Sequence, residues 1–87
     1  MRGERVIVRA FGNQPLARIV WEISENTVFI TNDEQFKRLM EGAEDALMPI
    51  GFPSEDVFEY DSTWIASLKK EGESRPNWNK LRPWKAR

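Results

Sequence analysis

Only packing is available to hold this chain together. It has neither cysteine nor histidine, so no disulfide can staple it and a zinc site would lack its usual ligands. Its 87 residues make one domain. At that size apolar burial barely exceeds chain entropy. The core must come from Val, Ile, Leu, Phe and Trp, or from a partner subunit. Four tryptophans are many for the length, and each buries a large area.

The apolar residues are arranged mainly with the period of strands. Arg5 to Phe11 is rich in β-branched residues and ends at Gly12-Asn13-Gln14-Pro15, which predicts a strand over 5–11 and a turn. Val6, Val8 and Ala10 fall on one face; Arg5, Ile7, Arg9 and Phe11 fall on a second, partly wet face. Alternation predicts a strand over 16–23, with Ala17, Ile19, Trp21 and Ile23 facing inward. Ser24-Glu25-Asn26 is turn chemistry, and a third strand over 27–31 completes a hairpin. Asn32 caps a short helix over 33–41, with Gln35 at the capping-box position. Its stripe of Phe36, Leu39 and Met40 reads as core. A strand over 47–50 is restricted by Pro49 to an edge or a strand start. Gly51 to Asp56 reads as a turn, 57–61 as a closing strand, and 63–70 as a helix capped by Asp61 or Ser62. Trp64, Ile65 and Leu68 lie on one side of that helix, and Gly72 stops it.

The run Ile50-Gly51-Phe52-Pro53-Ser54-Glu55-Asp56-Val57 resembles the end of a Src-homology-3 barrel. There a Gly, a hydrophobic residue and a Pro lead through one tight helical turn to a Val that opens the last strand. The resemblance implies a mainly β fold: a small antiparallel barrel or curved sheet, SH3-like, with one inserted short helix and a C-terminal helix plus tail. The body spans 1–73 and the tail 74–87. Peptide-binding members carry a tyrosine three residues after the proline, where this chain has Asp56. Their N-terminal Ala-Leu-Tyr-Asp-Tyr signature is missing from Val6 to Ala10. Of their groove, Pro53 matches, with Trp21 as a stand-in. The resemblance therefore implies the fold and not recognition of proline-rich peptides.

Catalysis finds little support. The commonest base and the commonest strong nucleophile are both missing. Ser67-Leu68-Lys69-Lys70 has Ser-x-x-Lys spacing, but at the exposed end of a short helix. The carboxylate pairs Glu44-Asp45, Glu55-Asp56 and Glu59-Asp61 read as solvated surface, and no calcium loop is present. The five glycines are isolated, so no phosphate-cradling loop exists. The expectation is a protein that is not an enzyme and uses no cofactor or metal. Met1 to Arg9 lacks the apolar run of a signal peptide and no stretch is long enough to span a membrane. A soluble cytoplasmic protein is expected.

Charge points to the tail. Glu22 to Asp61 holds eleven acids against Lys37 and Arg38, a net −9. Ser74 to Arg87 holds five cations and no acid. Arg75, Trp78, Leu81, Trp84 and Arg87 recur every third residue, and Pro76 and Pro83 favour polyproline II, which would line the apolar groups along one edge. Three docking targets compete: the chain's own acidic body, another protein or a second copy, and nucleic acid. The expected function is a small non-catalytic module for protein–protein interaction, as adaptor, regulator or accessory subunit. Trp78, Leu81 and Trp84 would be its anchors, with Arg75, Arg82 and Lys85 supplying charge. The alternative is nucleic-acid binding by the same tail.

Overall fold

The computed structural model describes residues 2–71 and 76–85, the side chains of residues 69–71 apart. Five strands form one antiparallel sheet: β1 (Arg5–Ala10), β2 (Gln14–Ser24), β3 (Thr27–Thr31), β4 (Ile50–Pro53) and β5 (Val57–Glu59), in the order β4-β3-β2-β1-β5. Helix α1 (Asp33–Met40) joins β3 to β4, and α2 (Ser62–Glu71) follows β5. The chain is thus mainly β, with two short helices. The sheet is open: β4 and β5 are its edge strands, and among the described residues they do not pair with each other. Of the two expected forms, barrel or curved sheet, closure into a barrel is not seen among the described residues. Both edge strands are short, and the free side of β5 is taken by the tail, through an antiparallel bridge between Phe58 and Pro83.

β1 lies second from one edge yet is buried on both faces, with Val6, Ile7 and Val8 all fully inaccessible. Val6, Val8, Val20, Val28, Ile30 and Val57 form one cluster, joined by Trp84. Ile7, Phe58, Trp64 and Leu81 form the other. α2 and the tail cover this second face, so Ile7 is dry where the strand pattern alone implied a partly wet side. Among the described residues no helix residue joins the first cluster; α1 rests through Phe36 on Trp21, edge-to-face at 5.8 Å. The first face is packed from within the sheet, by residues of β1, β2, β3 and β5 together with Trp84, with Ile23 and Phe52 against it.

Register explains two departures from simple alternation. Val20 pairs with Ile30 but Glu22 pairs with Phe29, so a β-bulge at Trp21 inserts one residue. Ile23 consequently swings to the side of Val20 and Val28 instead of sharing a face with Ile19. The fourth strand runs Ile50–Pro53, a correction to the span 47–50. Its ladder matches apolar partners, Ile30 with Ile50 and Val28 with Phe52, and ends at Thr27 with Pro53. The amide of Ser54 donates to the carbonyl of Asn26 at 2.8 Å. Counting back by twos from that bond, Phe52 and Ile50 turn their amides toward β3, and Gly51 and Pro53 turn outward. Pro49, just before the strand, shares the outward phase. The free edge of β4 thus exposes one amide donor, that of Gly51, between two prolines.

Gly51 is also a packing requirement. A Cβ there would lie 2.7 Å from Thr27 Cγ2 and 3.1 Å from the Phe29 ring. Gly51→Ala is expected to destabilise the fold by about 1–3 kcal/mol, readable as a lowered urea midpoint; an unchanged midpoint would show that Thr27 can rotate away at no cost.

Candidate functional site

The tail residues singled out by composition lie against the body. Arg75 is outside the described residues. Leu81 and Trp84 are buried at 6% exposure each, Trp78 is half-buried, and Arg82 and Lys85 are exposed. The amide of Glu59 donates to Arg82 carbonyl at 2.8 Å and that of Trp84 to Val57 carbonyl at 3.1 Å. The segment is therefore extended against β5, and its faces alternate with period two. Leu81 and Trp84, three apart, fall on opposite sides of the sheet. The single three-residue edge of a polyproline helix is not formed; Trp78–Lys80 is instead a 3₁₀ turn capped by Asn77.

An aromatic cluster receives the near end of the tail. Trp78 lies 5.1 Å from Phe58 and 5.2 Å from Trp64 between ring centroids. Trp64 Nε1 donates to Asn77 carbonyl at 3.1 Å. The Arg9 guanidinium sits over Phe58 and Trp78, at 5.3 and 5.6 Å from their centroids. It also donates through Nε and Nη2 to Asp56 Oδ1, at 3.0 and 2.9 Å. Asp56, the residue standing where peptide-binding SH3 domains have tyrosine, thus holds an arginine in place. At the far end Trp84 Nε1 donates to the Glu4 carboxylate. Among the described residues no ion pair links a tail cation to the body. Among the described residues the contacts that dock this segment are apolar burial, backbone hydrogen bonds and the Trp84–Glu4 bond. Asp56→Ala is expected to cost about 1 kcal/mol, because it strips a half-buried arginine of its partner; a double-mutant cycle with Arg9→Ala measures the coupling.

The exposed apolar side chains lie elsewhere. Leu47, Met48 and Ile50 are 76%, 79% and 65% exposed. They border a groove of about 430 Å³ that is also lined by Leu16, Arg18 and Phe52, with Ile30 and Thr31 at its base. Cross-strand pairing puts Leu16 opposite Val8 and Arg18 opposite Val6, so the groove is the uncovered continuation of the first sheet face. Its outer wall is held. Asn32 accepts the amide of Gln35 at 2.7 Å, as an N-cap should. The Gln35 side chain does not close the capping box; its Nε2 donates to the carbonyls of Leu47 and Met48, at 2.7 and 3.0 Å. Two apolar side chains are therefore presented to solvent from a fastened backbone. Arg18 Nη1 donates to its neighbour Ala17 carbonyl at 2.8 Å, and among the described residues no carboxylate pairs with it.

Sequence reasoning placed 47–50 in a strand and so missed the groove. The available signal was the unbroken run Ala46 to Ile50 emerging from an acidic stretch, together with Arg18 standing in an otherwise apolar column with Leu16 and Val20. Of the residues weighed for catalysis, Ser67 donates its hydroxyl to Trp64 carbonyl, and Lys70 lies outside the described side chains. Among the described residues no group of three or more acidic, histidine or cysteine side chains is placed to hold a metal ion, and no helix is long and apolar enough to cross a membrane. Comparison with protein-family models, with curated proteins and with solved structures gave no match.

Proposed function

We infer that this protein is a small non-catalytic binding module that mediates protein–protein interaction, and that the groove beside β4 is where its partner sits. The observation that carries this reading is the exposure of Leu47, Met48 and Ile50 on a backbone fastened by Gln35. Exposed apolar patches with a polar rim are characteristic of contact surfaces, and a preorganised wall lowers the ordering cost of binding. The arrangement of β4, a 3₁₀ turn at Ser54–Asp56 and a last strand opened by Val57 supports an SH3-like reading of the fold. The tail anchors Trp78, Leu81 and Trp84 serve a partner only if they first leave the body. Nucleic-acid stacking needs accessible indoles, and the tail's two are packed against the sheet.

The test compares crosslinked partners of the intact protein with those of two surface variants. Leu47→Ser with Met48→Ser is expected to lose the specific partner while the unfolding midpoint stays within about 2 °C, since solvent-exposed sites contribute little to stability. Phe11→Ser, at a fully exposed position away from the groove, should retain it. Loss of the partner from the Phe11 variant alone would move the site to the β1–β2 turn. Retention on single-stranded RNA, weakened by salt and by Arg82→Gln with Lys85→Gln, would replace this reading by the nucleic-acid one.

A further inference from the structure

Arg18 is out of place for a residue of the sheet interior. It occupies the β2 column that runs Leu16, Arg18, Val20, on the face that buries Val6 and Val8. It is only half-exposed, and its one described hydrogen bond goes to the adjacent carbonyl. A guanidinium has five donors in a planar fork that matches a carboxylate. Arg18 lines the groove with Leu16, Ile30, Ile50 and Phe52, and among the described residues no carboxylate pairs with it, so a carboxylate brought into the groove would meet a charged fork that is not already paired.

The other end of the depression has the opposite character. An adjoining pocket, sharing Asn32, Gln35 and Leu47 with the groove, is lined by Glu34, Asp45 and Arg38, the last two paired with each other, which leaves the Glu34 carboxylate in excess. A uniformly anionic polymer would meet Arg18 at one end and the uncompensated Glu34 at the other. The β4 edge does not favour strand addition either, since Gly51 supplies its one outward amide between Pro49 and Pro53. Recognition therefore falls to side chains.

Building on the groove reading above, we propose that the occupant is an extended segment of a partner protein that presents apolar side chains together with a carboxylate, and that Arg18 receives the carboxylate. Leu47, Met48 and Ile50 flank the apolar side chains, and Arg18 fixes the direction of the segment.

The experiment uses the ¹⁵N-labelled full chain and two capped peptides of about eight residues. They share one apolar sequence and differ in carrying two glutamates or two lysines. Dodecanoate is a third probe. The glutamate peptide should move the amide signals of residues 16–20 and 47–52 and bind at least about tenfold more tightly than the lysine peptide. Arg18→Gln should abolish that preference, and Arg18→Glu should reverse it. Equal binding of both peptides, or an unchanged preference in Arg18→Gln, overturns the role of Arg18. Shifts with dodecanoate and neither peptide overturn the peptide occupant in favour of a small amphiphile. If no probe moves these signals yet Leu47→Ser with Met48→Ser still loses the crosslinked partner, the carboxylate assignment fails and the groove reading stands. If that double variant keeps its partner too, both fail.

Discussion

Replacing Trp84 by alanine is expected to cost about 3–5 kcal/mol and to lower the unfolding midpoint by roughly 15 °C or more. The residue is buried, at 6% exposure, and it packs with Val6, Val8, Val20, Val28, Ile30 and Val57. Among the described residues that cluster has no helix member, so its other side chains all belong to sheet strands, whose hydrogen bonds limit how far they can close a vacancy. A domain of this size has a total stability of only about 5–15 kcal/mol, and one indole near the C-terminus therefore decides whether it folds. Trp84→Phe should recover part of the loss by refilling the cavity without the hydrogen bond to Glu4. Glu4→Gln, which keeps an acceptor for the indole, should cost less than about 1 kcal/mol. A midpoint for Trp84→Ala within about 3 °C of the parent's would mean that the tail does not hold the core.

Ile7→Ala probes the opposite face and should cost about 2–5 kcal/mol. Ile7 is fully buried among Phe58, Trp64 and Leu81. Three elements converge on it: β5, α2 and the tail. Loss of its side chain loosens all three contacts at once, so the effect should reach the middle of that range or above it. Denaturant titration followed by tryptophan emission reads this directly, because Trp64 and Trp78 report from the same cluster. A cost below about 1 kcal/mol would show that α2 and the tail can settle inward to close the gap.

The two substitutions also mark where the sequence could be read and where it could not. The strands β1 to β3, the Asn32 cap and the helix after Asp61 follow from local patterns of alternation, turn residues and capping, which need no knowledge of the rest of the chain. Burial of Ile7 does not, because it depends on α2 returning across a face whose neighbours in sequence are Val6 and Val8. The period-three spacing of Trp78, Leu81 and Trp84 was visible, but its meaning changed once pairing to β5 imposed a period of two. The bulge at Trp21 is likewise a product of pairing: Val20 and Glu22 take consecutive partners in β3, and nothing in residues 16–23 alone marks the insertion. The candidate site was least legible. Gln35 fits a capping box as written, and only the position of Leu47 and Met48 diverts its side chain to their carbonyls. Taking Ala17, Ile19, Trp21 and Ile23 as the inward set put Arg18 on the other face, and only its pairing with Val6 shows that this other face buries Val6, Val8 and Val20.

The paired prolines flanking Gly51 carry a consequence for crowded conditions. A sheet that fails to close offers its rim to other copies, and such rims seed fibrils when their amides are free. Here two proline nitrogens without an N–H stand where a stacking neighbour would need donors. The exposed apolar side chains of Leu47, Met48 and Ile50 thus adjoin an edge that is poorly suited to template strand addition.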